Sequence, residues 1–319
     1  MSIPHGGGGV VEIYTHQPPE ALLQLLSAHL PHSLSLLRRL QFTKFPGGIT
    51  EHARILYASN APLPSPPNGT GVAATAERDD QHHHRHHPFT AAFLDISRGP
   101  ETQMWMYSTL ERCGSNGDEN KRGVEEEERK AALGHAVSLL HAARRIRDHS
   151  PSSPLGPCVL AGTLSEVLRT ALRDEAGIAS SHVSLYDKWL LDVRELPLVN
   201  GQEPLLEPGM RWGTENSQVT AQHRDHAGGW HPHFLVFPRY VNNLSLNVGP
   251  DASLSSLHCE EPYRGRGFAK AVAAKLIKDR LKDYGGDDST LCCAEVAADN
   301  PSSQGVCKSL GGKIGWTVC

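Results

Sequence analysis

Residues 261–276 read EPYRGRGFAKAVAAKL, and the passage of this stretch from a glycine-bearing loop into an amphipathic helix decides the fold. Gly265 and Gly267 carry no Cβ, so an anionic group can approach the backbone N–H groups between them. From Phe268 onward the apolar residues take helical spacing. A helix that begins at this point offers unpaired N–H donors and a partial positive charge. The stretch is a candidate phosphate cradle; an ordinary loop before a surface helix is the plain alternative.

Other phosphate motifs fit less well. Counted from Gly265, the dinucleotide fingerprint G-x-G-x-x-G/A needs a small residue where Lys270 stands, and a long side chain there obstructs close helix packing. The Walker pattern is absent. What the residues do make is R-x-x-G-x-A, from Arg264, Gly267 and Ala269.

Working outward, residues 253–259 read as a strand that feeds the cradle, with Leu257 and Cys259 on one face. Phe268, Val272, Leu276, Ile277 and Leu281 form an apolar stripe on the helix that follows, and Gly285 with Gly286 ends it. The almost continuous apolar run 291–297 suits a strand buried on both faces. Asn300 then precedes Pro301, a good N-cap before a proline at the first helical position. A short helix to Leu310, the pair Gly311 and Gly312, and a last strand over 313–318 complete the set.

This ordered series resembles the C-terminal part of a GNAT domain, the acyl-CoA-dependent N-acyltransferase fold. Within that superfamily it is most similar to the glycine-N-acyltransferase-like branch, including members from fungi. The likeness is strongest over residues 249–318 and weaker over 10–58 and 89–112. It implies an α/β protein with a mixed sheet, an acetyl-CoA or other acyl-CoA co-substrate, and no metal. It also implies an N-acyltransferase acting on a small amine, an amino acid or a peptide N-terminus.

Carried over by position, the resemblance implies that amides from Gly265 through Arg266, Gly267 and Phe268 to Ala269 hold the CoA diphosphate, with Arg264 and Arg266 beside the phosphates. The backbone of Leu257 to Cys259 pairs with the pantetheine arm as another strand does, and Asn300 and Ser303 contact that arm from the opposite side. The chain departs from the pattern twice. Ser253 occupies the position where related enzymes often carry a glutamate base, leaving Asp251, His258 and Glu260 as nearby substitutes, of which a histidine has the most suitable ordinary pKa. Cys307 stands where a tyrosine acid is frequent; a thiol can protonate a leaving thiolate, although a buried helical cysteine more often only packs. A binding or scaffold protein that keeps the cradle but has lost the chemistry is therefore an alternative. Nucleotide binding without acyl transfer is a third, in which ATP or NAD would compete with CoA.

The N-terminal half shows strands over 10–14, 53–58, 89–96 and 103–110, the last two joined by a hairpin turn at Gly99 and Pro100. Helical patterns cover 18–30, 34–40, 129–147 and 165–172. Residues 114–128 read as a polar, acidic loop. A short apolar run at 158–161 is expected to partner the strand-like 183–191, which is followed by a further short run at 196–199. The order of elements is itself GNAT-like, so this half is expected to be a degenerate second copy without a cradle, the boundary falling between domains 1–200 and 201–319. An unrelated α+β domain is the rival reading.

The chain has 319 residues, above the usual single-domain range, which supports two domains. Its net charge of −4 gives no global electrostatic reason to expect nucleic acid or an anionic membrane as partner. No run of about 18 apolar residues suggests a transmembrane helix, and the first residues lack the basic and apolar regions of a secretory signal. Seven cysteines without a C-x-x-C pair read as reduced thiols of a cytoplasmic or nuclear protein. The proline-rich segment 60–88, which ends in a histidine tract, is expected to be a disordered loop. The histidines at 223–233 match no zinc spacing. Residues 213–248 are weakly patterned, only 233–237 being convincingly strand-like, yet they should hold the middle strands of the C-terminal sheet. Oligomeric state is not legible.

Overall fold

The computed structural model describes residues 10–63, 87–112, 122–150, 161–196, 244–259, 261, 264–285 and 289–319. They form two compact units: one runs to Lys44 and then from Ile49 to Val183, with Cys319, and the other comprises Phe45–Gly48 and Ser184–Val318. Each contains one five-stranded mixed sheet. The chain is thus an α/β protein of two units, each built on a mixed sheet.

In the first unit the strands β1 (Val10–Tyr14), β2 (Ala53–Ser59), β3 (Phe89–Asp95), β4 (Gln103–Ser108) and β5 (Ala161–Thr163) lie in sequence order across the sheet. Every pairing is antiparallel except β4 with β5, which is parallel. Helices α1 (Glu20–Ser27) and α2 (Leu34–Gln41) connect β1 to β2, α3 (Arg122–Asp148) lies between β4 and β5, and α4 (Glu166–Asp174) follows β5. Ser165 caps α4, its side chain accepting from the Leu168 N–H at 3.2 Å.

Helices cover both faces of this sheet, so all seven residues of β3 are buried. Because successive side chains alternate, Ala92 and Leu94 join a core with Ala132, Ala136 and Leu139 of α3, whereas Ala91 and Phe93 join one with Leu22 and Leu26 of α1 and Leu37 and Leu40 of α2. Arg39 is buried in the second core, its guanidinium 3.6 Å from the Phe93 ring centroid. That charge is accommodated by the ring's negative face.

The second unit's sheet has the order β10 (Lys313–Val318), β6 (Tyr186–Asp192), β9 (Leu291–Ala297), β8 (Ser253–Cys259), β7 (Leu244–Val248). Helix α5 (Phe268–Gly285) connects β8 to its parallel neighbour β9, and α6 (Pro301–Ser309) connects β9 to β10. The expected stripe on α5 is buried, from Phe268 through Val272, Leu276 and Ile277 to Leu281 and Tyr284. The Tyr284 hydroxyl donates to the Gly249 carbonyl at 2.7 Å and ties the helix to the β7–β8 turn. In that turn Ala252 has φ +58.

Four expectations are corrected. Helix α3 begins at Arg122, so Glu125–Glu128, read as loop, are helical; acidic residues suit a helix N-terminus, and the polar composition concealed the start. The strand expected to partner the 158–161 run pairs elsewhere: β5 pairs with β4, while β6 lies between β9 and β10. The short alternating stretch Leu244–Val248 is a strand that the sequence reading did not single out. The helix expected over 18–30 is shorter, Glu20–Ser27. The expectations placed on 64–86, on the acidic residues 114–121, on 197–199 and on the histidines and strand between 213 and 243 lie outside the described residues, as does most of the 158–161 run. No helix among the described residues is long and apolar enough to cross a membrane.

Candidate active site

The parallel pair β8–β9 opens into a fork. Only Ser253 with Cys293 and Leu254 with Ala294 are in register; beyond them β8 is bonded to β7 alone among the described strands. The cause lies in the β7–β8 register, where the single residue Leu246 stands opposite both Ser256 and Leu257, between Ser245↔His258 and Asn247↔Ser255. Such a bulge adds a residue to one strand, bends it and raises its twist.

A cavity of about 460 Å³ occupies the fork. Ser255 and Leu257 of β8, Glu295 and Ala297 of β9, and Ser303 and Cys307 of α6 are among its lining residues. Its volume lies in the ~300–1,000 Å³ range of small-molecule sites. Asn300, at the mouth of α6, lines it as well, and its Oδ1 accepts from the Ser303 N–H at 3.1 Å as an N-cap.

At the end of β8 the chain passes through Arg264–Gly267, all exposed, into α5. Gly265 has φ +74 and Gly267 φ +83, and nothing lies within 4 Å of where a Cβ would sit on either. Glycine is therefore required here by the backbone conformation, and the space above it is open. The Gly267 carbonyl accepts from the Ala271 N–H at 3.0 Å, so the amides of Ala269 and Lys270 precede the first intrahelical donor. Arg264 Nε donates to the Cys259 carbonyl at 2.9 Å, which braces the loop against the strand. The Arg266 guanidinium lies 5.4 Å from the Phe268 ring centroid. Helix-terminal N–H groups and two exposed arginines thus occur in one short loop, chemistry suited to an anion.

Of the expected site residues, the structure gathers Leu257, Asn300, Ser303 and Cys307 around the cavity; Arg264 to Ala269 follow β8 in the loop that enters α5 and are not among its lining residues. Cys259 ends the strand between the two. Asp251 lies at the turn before β8 and is not among the lining residues; its Oδ1 accepts from the Ser253 hydroxyl at 2.6 Å and the Ser253 N–H at 3.2 Å. His258 is described through its backbone, paired with Ser245, and Glu260 lies outside the described residues. Cys307 is 4% exposed and packs with Trp189, Ala294 and Val296. Burial pushes its thiol up to about 11, so it is protonated at neutral pH.

Sequence reasoning missed Glu295 and Tyr186, both of which line the cavity. Glu295 is the only charged residue in the run Leu291–Ala297. It is directly opposite Lys188 on β6, whose Nζ donates to Glu295 Oε1 at 2.8 Å. A lone charge in the otherwise apolar run Leu291–Ala297 was the signal available. No cluster of residues able to hold a metal occurs among the described residues, and the five described cysteines are all free thiols.

Residues 10–189 match the family described as the acyl-CoA N-acyltransferase verG N-terminal domain. The matched span covers the first unit and reaches into β6, and the cradle and fork lie beyond it. A solved structure of a Drosophila protein is similar in fold, with a TM-score of 0.55 at 10% identity and 97% of each chain covered. Other similar solved structures include a GCN5-related N-acetyltransferase from Sphaerobacter thermophilus, at TM-score 0.47, 13% identity and coverage of 97% and 93%. A tandem GNAT protein from the clavulanic acid biosynthesis pathway aligns at TM-score 0.44 and 12% identity, with 97% of this chain and 96% of that one covered. No curated protein matches the chain.

Proposed function

Because this chain belongs to the acyl-CoA N-acyltransferase family that its residues 10–189 match, and with it to the GNAT superfamily, we propose that it transfers an acyl group to an amine at the fork of the second sheet. The observation that carries this reading is the succession along β8: the strand lines a cavity where it parts from its parallel neighbour β9, and a loop with two positive-φ glycines then leads from its end into the N-terminus of α5. An acyl-CoA bound there supplies a thioester whose carbonyl the amine attacks and whose thiolate leaves.

The residues present fit that co-substrate. Amides from Gly265 to Ala269 hold the diphosphate, with Arg264 and Arg266 at its sides. The open edge of β8 from Leu257 to Cys259 offers backbone groups to the pantetheine arm, and Asn300 and Ser303 face it across the cavity. A backbone N–H of β8 facing the fork stabilises the carbonyl oxygen as charge develops on it. His258 is assigned as the group that removes a proton from the acceptor, since an imidazole ionises near neutral pH. Cys307, a protonated thiol on the cavity wall, returns a proton to the departing sulfur. Acetyl-CoA is the expected donor, a small amine, amino acid or peptide N-terminus the acceptor, and the cytoplasm or nucleus the setting.

The turn that ties Asp251 to Ser253 favours a second reading, in which the site binds acyl-CoA without turning it over. Two measurements decide. Calorimetric titration with CoA should show binding that Gly267→Asp abolishes, because the new carboxylate faces the diphosphate, a like-charge penalty of several kcal/mol; unchanged affinity in that variant refutes the site. Free-thiol release from acetyl-CoA with a panel of amines should then show turnover. CoA binding with no turnover on any amine leaves the binding protein as the answer.

A further inference from the structure

We propose that Glu295 is the anionic anchor for the acceptor's ammonium group, so that the site selects acceptors that arrive as primary ammonium ions. The inference rests on the acyltransferase reading and deepens it by assigning the residue that holds the second substrate.

Position comes first. Leu254 and Ala294 are the last residues in register before β8 and β9 separate, and Glu295 is the next residue on β9. The cradle is at the opposite, open end of the fork, after Cys259. A molecule that enters with its diphosphate on the cradle and lies along β8 brings its far end to the apex of the fork, where Glu295 lines the cavity. The reacting carbon and the acceptor must meet there.

Charge comes second. Burying a carboxylate at the apex of a cavity is unfavourable without a partner, and Lys188 supplies one. The Lys188 side chain is 4% exposed, against 24% for Glu295, so the ammonium is sealed in the sheet while the carboxylate keeps a surface toward the cavity. Burial by itself would weaken the Lys188 ammonium, but its neighbours, Cys293 first and then Glu295 and Asp251, hold it above its ordinary range. The fixed cation thus faces the Glu295 carboxylate directly, at 2.8 Å. Lys188 donates to Oε1; a carboxylate has lone pairs for further donors, and its other oxygen is available to an ammonium. A carboxylate fixed by one such hydrogen bond can receive a second cation on the oxygen that faces the cavity. Its part is to bind and orient the amine; deprotonation falls to another group.

The test uses full-length protein saturated with CoA, which carries no acyl group, so that acceptor binding is measured without turnover. Primary ammonium ligands of increasing size, from methylammonium to hexylammonium and phenethylammonium, are titrated against it beside the isosteric alcohols. The expected result is binding of at least one ammonium ligand and of no alcohol, with a loss of tenfold or more in Glu295→Gln. Leaving Lys188 buried opposite an amide can unfold the protein, so the double variant Lys188→Met, Glu295→Gln, which removes both charges, is measured in parallel with thermal melts. It should fold, bind CoA and fail to bind the ammonium. Equal ammonium affinity in a folded variant, or a wild-type protein that binds CoA but no ammonium ligand, overturns the role of Glu295 and leaves the CoA site standing. Failure of the wild-type protein to bind CoA overturns the acyltransferase reading itself.

Discussion

The two strand-to-helix junctions of this protein have the same topology and opposite chemistry. In the first unit β4 leads toward α3, whose early residues include Glu125–Glu128; in the second β8 leads through Arg264-Gly-Arg-Gly into α5. Carboxylates at a helix N-terminus satisfy its dipole from within the chain, whereas arginines and glycines leave that dipole for a ligand. The strands differ in the same sense. Past the parallel pairs of β4 with β5, Met106, Tyr107 and Ser108 are all buried, while past those of β8 with β9, Ser255 is exposed and Leu257 and Cys259 are half-buried. The Tyr107 hydroxyl is tied to His29 Nδ1 at 2.8 Å, with Phe89 packed edge-on against both rings. One unit fills its own interior at this point and the other keeps it open. The match to a family runs through the filled unit, and the residues suited to hold a co-substrate are in the open one.

The largest effect that tests this contrast concerns stability. Phe93 is fully buried beneath Arg39, and Phe93→Ala should lower unfolding free energy by about 3–5 kcal/mol, read by urea denaturation. A loss under about 1 kcal/mol would mean that the first unit is not close-packed there.

A smaller effect belongs to the cavity wall. The Cys307 thiol has an ordinary value of 9.0 and is raised by burial to about 11, so the folded chain holds this proton more tightly than the unfolded one. Its contribution to stability is complete below pH 9 and is lost as pH rises to 11, by about 2–3 kcal/mol at 1.36 kcal/mol per unit. Melting temperatures across that window should fall for the wild type and fall less for Cys307→Ala. Parallel curves would show that the thiol is solvated.

The smallest effect sharpens the junctions themselves. Arg264→Gln combined with Arg266→Gln should weaken CoA binding by roughly 5–30-fold, about 1–2 kcal/mol, and flatten its salt dependence. Glu126→Gln with Glu127→Gln, in the other junction, should change it less than twofold. A larger effect from the glutamates would invert the comparison.

Much of the second unit was legible because its signals are local. A glycine with φ near +80, an asparagine before a proline and a four-residue apolar stripe each leave a mark within a few positions of sequence. The fork and the charge pair are non-local. The bulge is a mismatch of register between two strands, visible in neither Leu244–Val248 nor Ser253–Cys259 alone. Lys188 and Glu295 meet because β6 inserts between β9 and β10, and sequence reasoning had placed β6 in the other half. The start of α3 was lost for a different reason: its first turns are too polar to show an apolar stripe.

That insertion has a practical side for anyone who would divide the protein. A fragment cut at residue 201 would keep the whole cradle and every lining residue after β7, yet it would lack the strand that joins β9 to β10. Two edges meant to be paired would face solvent, and Glu295 would lose the Lys188 ammonium hydrogen-bonded to it. The smallest piece able to display this site therefore begins before Tyr186, inside the stretch by which the chain is assigned to its family.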